Sequence, residues 1–196
     1  MSSVKNLIEG IINQILTNTP ELWIDLSGNY LRELGGPAAH LYSAFYVKDA
    51  RRARPDSNLL PFDECIVLNP AKLGQDLNSP FLARVLFHEL GHATGRVERM
   101  NRPSLYRAGA HDKKSHLAIR DVEELIAERI AQKCCEHFGI IDENNRIRSI
   151  RYIDMYSADL ELSEIEGAHL ERDAERGFRY ILQTWAPQTE TVKKAA

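Results

Sequence analysis

The stretch Val85-Leu-Phe-His-Glu-Leu-Gly-His-Ala-Thr-Gly95 decides how the rest of the chain is read. In an α-helix, positions i and i+4 stand one above the other, so His88 and His92 project from the same face about one turn apart. Two imidazoles placed in this way can hold one ion. Glu89 follows the first histidine, the place of a general base in a helix of the form His-Glu-x-x-His, beside the open coordination position of a catalytic metal. Coincidence puts that three-residue pattern into about 2% of chains of this length and composition, which makes it the poorer explanation. Val85, Leu86 and Leu90 supply an apolar face. Gly91 removes a side chain beside the expected site, and Thr94-Gly95 offers a stop just past the second histidine.

Upstream, Leu7, Ile8, Ile11, Ile12, Ile15 and Leu16 recur at helical spacing, and Asn18-Thr-Pro20 suits the end of that helix. The stretches 21–26, 40–47 and 64–68 are β-branched or aromatic and bounded by Gly, Pro, Asn and Asp, the pattern of short strands. The last of these, a rigid neighbour of the motif, is placed to lie along a substrate groove. Residues 48–62, with Pro55 and Pro61, read as a long loop. From Phe81 the pattern is helical: 81–94, 119–138, 147–157 and 163–185. The polar stretch 95–117 is positioned to roof a site, and residues 187–196 read as a frayed tail. Strands followed by helices predict a single α+β domain over 1–196, with an N-terminal helix and strands in 1–70 and the metal-binding helical part in 80–186.

The chain has 196 residues, 43% of them hydrophobic and 27% charged, a balance that favours a globular fold over disorder. A net charge of −3 gives no support to nucleic acid as a partner. Basic runs at 48–54 and 146–151 are able to touch phosphate, although such runs are usually solvated. No apolar run approaches the roughly 18 residues of a membrane span, and the N-terminal helix is too interrupted for a secretory signal. Cys65, Cys134 and Cys135 do not make a disulfide framework, which fits a reducing cytoplasm, and Cys134 and Cys135 read as helix-packing residues.

Catalytic zinc ordinarily takes a third protein ligand and keeps a fourth position for water. Glu98 stands where a His-x-x-Gly-x-x pattern puts that ligand, but the residue expected there is His or Asp. His111 and His116 are alternatives. A third alternative is the helix Arg120-Asp-Val-Glu-Glu-Leu-Ile-Ala-Glu-Arg-Ile-Ala131. Its greasy side is Val122, Leu125, Ile126 and Ile130, and an adjacent stripe carries Glu124, Ala127, Glu128, Ala131 and Cys135. Small residues at 127, 131 and 135 would let the histidine helix come close. Glu124 would then complete the site, with Glu128 one turn on to accept a hydrogen bond from a ligand histidine.

The stretches "FHELGHATG" and "EELIAERIA", with Arg99-Met-Asn-Arg102, Arg151-Tyr-Ile153 and "ERDAERGFRYIL", resemble the zincin-like metallopeptidase domain of ArdC-type antirestriction proteins and the polyvalent proteins of plasmids and phages. The resemblance covers roughly residues 62–182. It implies a gluzincin-type fold, a small sheet packed on a mainly helical body with the HExxH helix at its centre. It also implies Zn2+ held by His88, His92 and Glu124, with Glu128 in support. Ser149 departs from the pattern, since relatives tend to carry a histidine three residues before the Tyr-Ile pair. The DNA-binding N-terminal region of that family is matched only by the opening helix and Trp23, so DNA binding is not carried over.

The expected activity is hydrolysis of peptide bonds in a peptide or protein substrate by metal-activated water, with Glu89 as the base. Tyr152, ahead of His111 and His116, is the expected donor to the oxyanion. The alternative expectation is a metal-stabilised protein that binds a host restriction or DNA-processing partner without cleaving it.

Overall fold

The computed structural model describes residues 3–31, 34, 36–50, 62–102, 113–140, 142–158, 160 and 164–187, with the side chains of 37–39, 113–118 and 164–165 outside that set. The architecture is α+β: six α-helices and a three-stranded sheet among the described residues. Helix α1 (Val4–Asn18) opens on Ser3, whose hydroxyl accepts the N–H of Asn6 at 3.2 Å. It buries Ile8, Ile11 and Ile15 along one face. Strands β1 (Leu22–Asp25), β2 (Ala44–Val47) and β3 (Glu64–Leu68) follow, with a 3-10 helix over Gly36–Leu41.

The sheet order is β1-β3-β2, parallel on one side of β3 and antiparallel on the other. All five residues of β3 are buried, because side chains alternate between two apolar layers. Ile66 and Leu68 enter the main core, while Cys65 and Val67 pack with Ala50 and Phe62. β3 therefore has no free edge along which a substrate could lie, contrary to the expectation from sequence. β1 and β2 are the two edge strands among the described residues. β2 is shorter than the expected 40–47, because Gly36-Pro37 begins a 3-10 turn that consumes the chain as far as Leu41.

After the short helix α2 (Pro70–Leu73), helix α3 (Pro80–Thr94) is capped by Ser79, with Pro80 in its first turn. Every residue of α3 from Leu82 to Thr94 is buried. A helix enclosed on all sides shows no clean polar face, and its charged residues persist only where they are paired. Helices α4 (Lys113–His137), α5 (Glu143–Ser157) and α6 (Glu164–Tyr180) complete the body. α6 does not run on regularly to Trp185 as the spacing predicts: residues Ile181–Trp185 widen into a π-turn, with Ala186 N–H donating to the Ile181 carbonyl at 2.8 Å. Trp185 is fully buried there, and its indole N–H donates to Thr19 Oγ1 at 2.9 Å. One core thus gathers residues from Ile8 to Trp185.

Two helices begin earlier than their apolar periodicity indicates. α4 starts at Lys113, not Ile119, and α5 at Glu143, not Ile147, on the Asp142 cap. No helix among the described residues is long and apolar enough to cross a membrane. Two arginines of the basic run on α5 are engaged within the chain, Arg146 by Glu143 at 2.6 Å and Arg148 over the Phe81 ring at 4.1 Å. Most of the other run, residues 51–54, lies outside the described residues.

Candidate metal centre

Helix α3 brings the Nε2 atoms of His88 and His92 to 3.2 Å, as their four-residue spacing requires. Helix α4 delivers the third group across a close helix contact. A Cβ built on Gly91 would lie 2.9 Å from the Cα of Ala127 and 3.1 Å from its carbonyl oxygen, so only a glycine facing an alanine permits this approach. Gly91 therefore acts by admitting the neighbouring backbone more than by clearing space at the site itself.

Glu124 Oε2 then stands 3.3 Å from His88 Nε2 and 3.6 Å from His92 Nε2. A tetrahedral ion with bonds of about 2.0–2.1 Å separates its ligands by about 3.3–3.4 Å, which this triangle matches nearly edge for edge. The donor set of two imidazoles and a carboxylate is also one that zinc favours. Among the described residues, these three form the one cluster of this kind able to hold an ion. Glu98, by contrast, is exposed and pairs with Arg96 at 2.8 Å. His111 and the side chain of His116 lie outside the described residues.

Both histidines are buttressed from behind. His88 Nδ1 lies 3.0 Å from Glu128 Oε2, and His92 Nδ1 lies 3.2 Å from Glu123 Oε1. An ionised carboxylate only accepts, so each Nδ1 carries a proton, and Nε2 is the nitrogen whose lone pair a metal would take. Each carboxylate is in turn gripped by an arginine. Arg84 reaches Glu128 Oε1 at 2.7 Å, and its Nε donates at 2.9 Å to Ser149 Oγ, whose hydroxyl donates to Glu128. Arg102 donates from Nε to Glu123 Oε2 at 3.1 Å and from Nη2 to the Gly91 carbonyl at 2.7 Å. Arg102 is 1% exposed and lies against Gly95, where a Cβ would meet its Nη2 at 2.8 Å.

Burial opposes charge on the imidazoles, but the carboxylates outweigh it. Hydrogen bonds to Glu124 and Glu128 hold His88 up at about 9, and the charge of Glu124 with the hydrogen bond to Glu123 holds His92 well above its usual range. The same contacts, against burial, hold Glu124 and Glu128 below the carboxylate range. Glu123, also against burial, is lowered to about 2, chiefly by Arg102. Such a cluster accepts positive charge, and a proton and a metal cation compete for it.

Glu89 sits one position round the helix from His88, outside the triangle, and its carboxylate hydrogen-bonds the backbone of Tyr46 on β2. Burial raises its pKa in spite of both histidines. The Tyr152 hydroxyl donates to Glu124 Oε2 at 2.6 Å, and its ring lies edge-on to His88 at 5.2 Å between centroids. The three cysteines are buried and free; burial pushes the thiols of Cys65 and Cys135 up to about 12, in keeping with packing roles.

Sequence reasoning assigns no role to Arg84 or Arg102. The available signal was spacing: Arg84 precedes His88 by one turn, and Glu128 follows Glu124 by one turn, so both helices carry their supporting residue at i±4. Arg102 gave no such signal, since its position depends on a turn that folds back over Gly95. Searches of protein-family models, curated proteins and solved structures return no match for this chain.

Proposed function

We propose that the chain is a zinc-dependent metallopeptidase with a zincin-like fold of the gluzincin type. The reading is carried by the triangle of His88 Nε2, His92 Nε2 and Glu124 Oε2, with the Glu89 carboxyl one residue from its first member. Zn2+ bound by these donors supplies a Lewis acid and makes water nucleophilic near neutral pH. Glu89 takes the proton of the attacking water and passes it to the leaving amine. Glu123 and Glu128 fix the tautomer and direction of the two imidazoles. Tyr152, at the edge of the triangle, turns its one hydroxyl proton from Glu124 Oε2 to the oxyanion that forms on the substrate carbonyl. β2, an edge strand among the described residues, offers its backbone beside Glu89 to an extended peptide, which recognises main chain without dictating side chains.

Resemblance to the antirestriction family supports a substrate among host restriction or DNA-processing proteins, and three cysteines without a disulfide framework support a cytoplasmic setting. The test compares wild type, Glu89→Gln and His92→Ala for zinc content and for cleavage of a mixed peptide library. Wild type and Glu89→Gln are expected to hold one zinc per chain, with cleavage by wild type alone. Undiminished cleavage by Glu89→Gln removes the base from the mechanism. A zinc-loaded wild type that cleaves nothing, while Glu89→Gln retains full antirestriction activity, favours a binding protein.

A further inference from the structure

Beyond the triangle, α3, α4 and α5 line an open cavity of about 340 Å3, with Arg84, Cys135, Ile140, Asn145 and Ser149 in its wall. Two observations make it more than a gap in packing. Asn145 is 5% exposed, yet its Nδ2 and Oδ1 are both buried with no hydrogen-bond partner, a costly arrangement for an amide. Arg84 commits Nε and Nη2 to Ser149 and Glu128, which leaves Nη1 without a hydrogen-bond partner among the described residues.

We propose that this cavity binds a small molecule carrying both a carboxylate and an amide, the combination found in an N-acylated amino acid and at the C-terminal end of a peptide. The carboxylate pairs with Arg84 Nη1. The ligand amide pairs with Asn145 at two points, its carbonyl accepting from Nδ2 and its N–H donating to Oδ1. Both atoms of Asn145 are covered, so the side-chain amide turns outward as the ligand enters. Of the other guanidiniums in the wall, Arg129 pairs with Glu171 at 3.2 Å and Arg146 with Glu143 at 2.6 Å, so Arg84 is the one that meets the carboxylate. Asn145 also stands in the first turn of α5, a 15-residue helix whose N-terminal end favours negative charge. Ile140 and the Cys135 thiol give apolar contact to the acyl group. The volume is at the small end of ligand sites, enough for one such unit. The proposal does not depend on the metallopeptidase reading.

The test uses the full chain, labelled with nitrogen-15, and follows the Asn145 side-chain amide signals, identified by their loss in Asn145→Leu. N-acetylglycine is expected to shift them saturably, with affinity at least about tenfold above that of acetate or acetamide, each of which offers half of the recognition. N-acetyl-triglycine separates the sources: binding as tight as N-acetylglycine assigns the site to peptide ends, and exclusion assigns it to a free N-acylated amino acid. Calorimetry on Asn145→Leu is expected to show at least a tenfold loss of affinity with zinc content unchanged. If that variant does not fold, Asn145→Asp, which keeps the size and repels a carboxylate, is expected to show the same loss. Amide signals that stay fixed up to on the order of 50 mM N-acetylglycine, or a variant that binds as well as wild type, overturn the proposal.

Discussion

Glu123 and Glu124, adjacent on α4, take opposite ring nitrogens of His92: Oε1 of Glu123 lies 3.2 Å from Nδ1, and Oε2 of Glu124 lies 3.6 Å from Nε2. Neighbouring helical residues point about 100° apart, so one reaches the back of the imidazole while the other reaches its front. In the proposed centre the pair separates two roles that composition alone makes identical, a donor to the ion and a support for another donor.

Those roles predict different losses. Glu124→Ala removes a member of the triangle and is expected to abolish stoichiometric zinc binding. Glu123→Gln leaves the triangle intact but weakens the hold on Nδ1, with an expected loss of about 10–100-fold in zinc affinity. Competition against a chelator of known affinity measures both. Wild-type affinity in Glu124→Ala would move the third ligand to another residue.

The metal-stripped protein is expected to lose stability as pH rises from about 6.5, the unfolded value, through about 9. The His88 proton, held by Glu124 and Glu128 against burial, contributes stability in full below the unfolded pKa, and that contribution fades as the folded group deprotonates. Zinc requires the same Nε2 atom without its proton, so zinc affinity should rise over the same interval in which metal-free stability falls. Urea denaturation of the chelator-treated protein at pH 6, 7.5 and 9.5, beside zinc titrations at each pH, reads both slopes. Parallel slopes would place the proton elsewhere.

Much of this arrangement is legible in the chain because it depends on periodicity. The spacing of His88 and His92 fixes a shared face whatever surrounds it, and the small residues at 127, 131 and 135 signal a close helix contact that the structure contains at Ala127. The same pattern carries the three strands, apart from the part of the second that Gly36-Pro37 diverts into a 3-10 turn. What escapes is polar structure without periodicity. Glu143-Asn-Asn-Arg146 has no apolar repeat, so the start of α5 is invisible although Asn145 is buried. No spacing marks Arg102, and only a turn over Gly95 makes it an internal residue. Ser149, a departure from the resembled family, proves to hold Glu128 and Arg84 together, a role that spacing does not disclose.

Gly91→Ala tests the helix contact. Alanine is the better helix former by about 1 kcal/mol, but its methyl would press on the Ala127 backbone at 2.9 Å, and overpacking of this kind costs about 1–3 kcal/mol. Backbone cannot turn aside as a side chain does, so the second effect is expected to win, with a small net loss of stability. The larger effect should fall on zinc, because separating the helices draws Glu124, Glu123 and Glu128 away from the histidines together. Thermal melts and zinc titration of the same variant compare the two. A melting temperature that drops while zinc affinity holds would show that the triangle does not depend on this contact.

Tyr152→Phe separates support of the ligand from action on the substrate. The hydroxyl donates to Glu124 Oε2 at 2.6 Å, and its loss leaves that carboxylate held by the two histidines, so zinc affinity should fall by less than about tenfold. An oxyanion donor makes its contact in the transition state, and removing one costs about 100-fold or more in kcat. Burial, followed by the charge of Glu124, holds the Tyr152 pKa above its ordinary value, so the hydroxyl keeps its proton through neutral and moderately alkaline pH and adds no alkaline limb of its own. The expected result with a cleaved peptide is therefore a fall in kcat at nearly constant KM and zinc content, with the pH profile unchanged in shape. A variant that loses zinc but regains full kcat when zinc is supplied in excess would reduce Tyr152 to a support for Glu124.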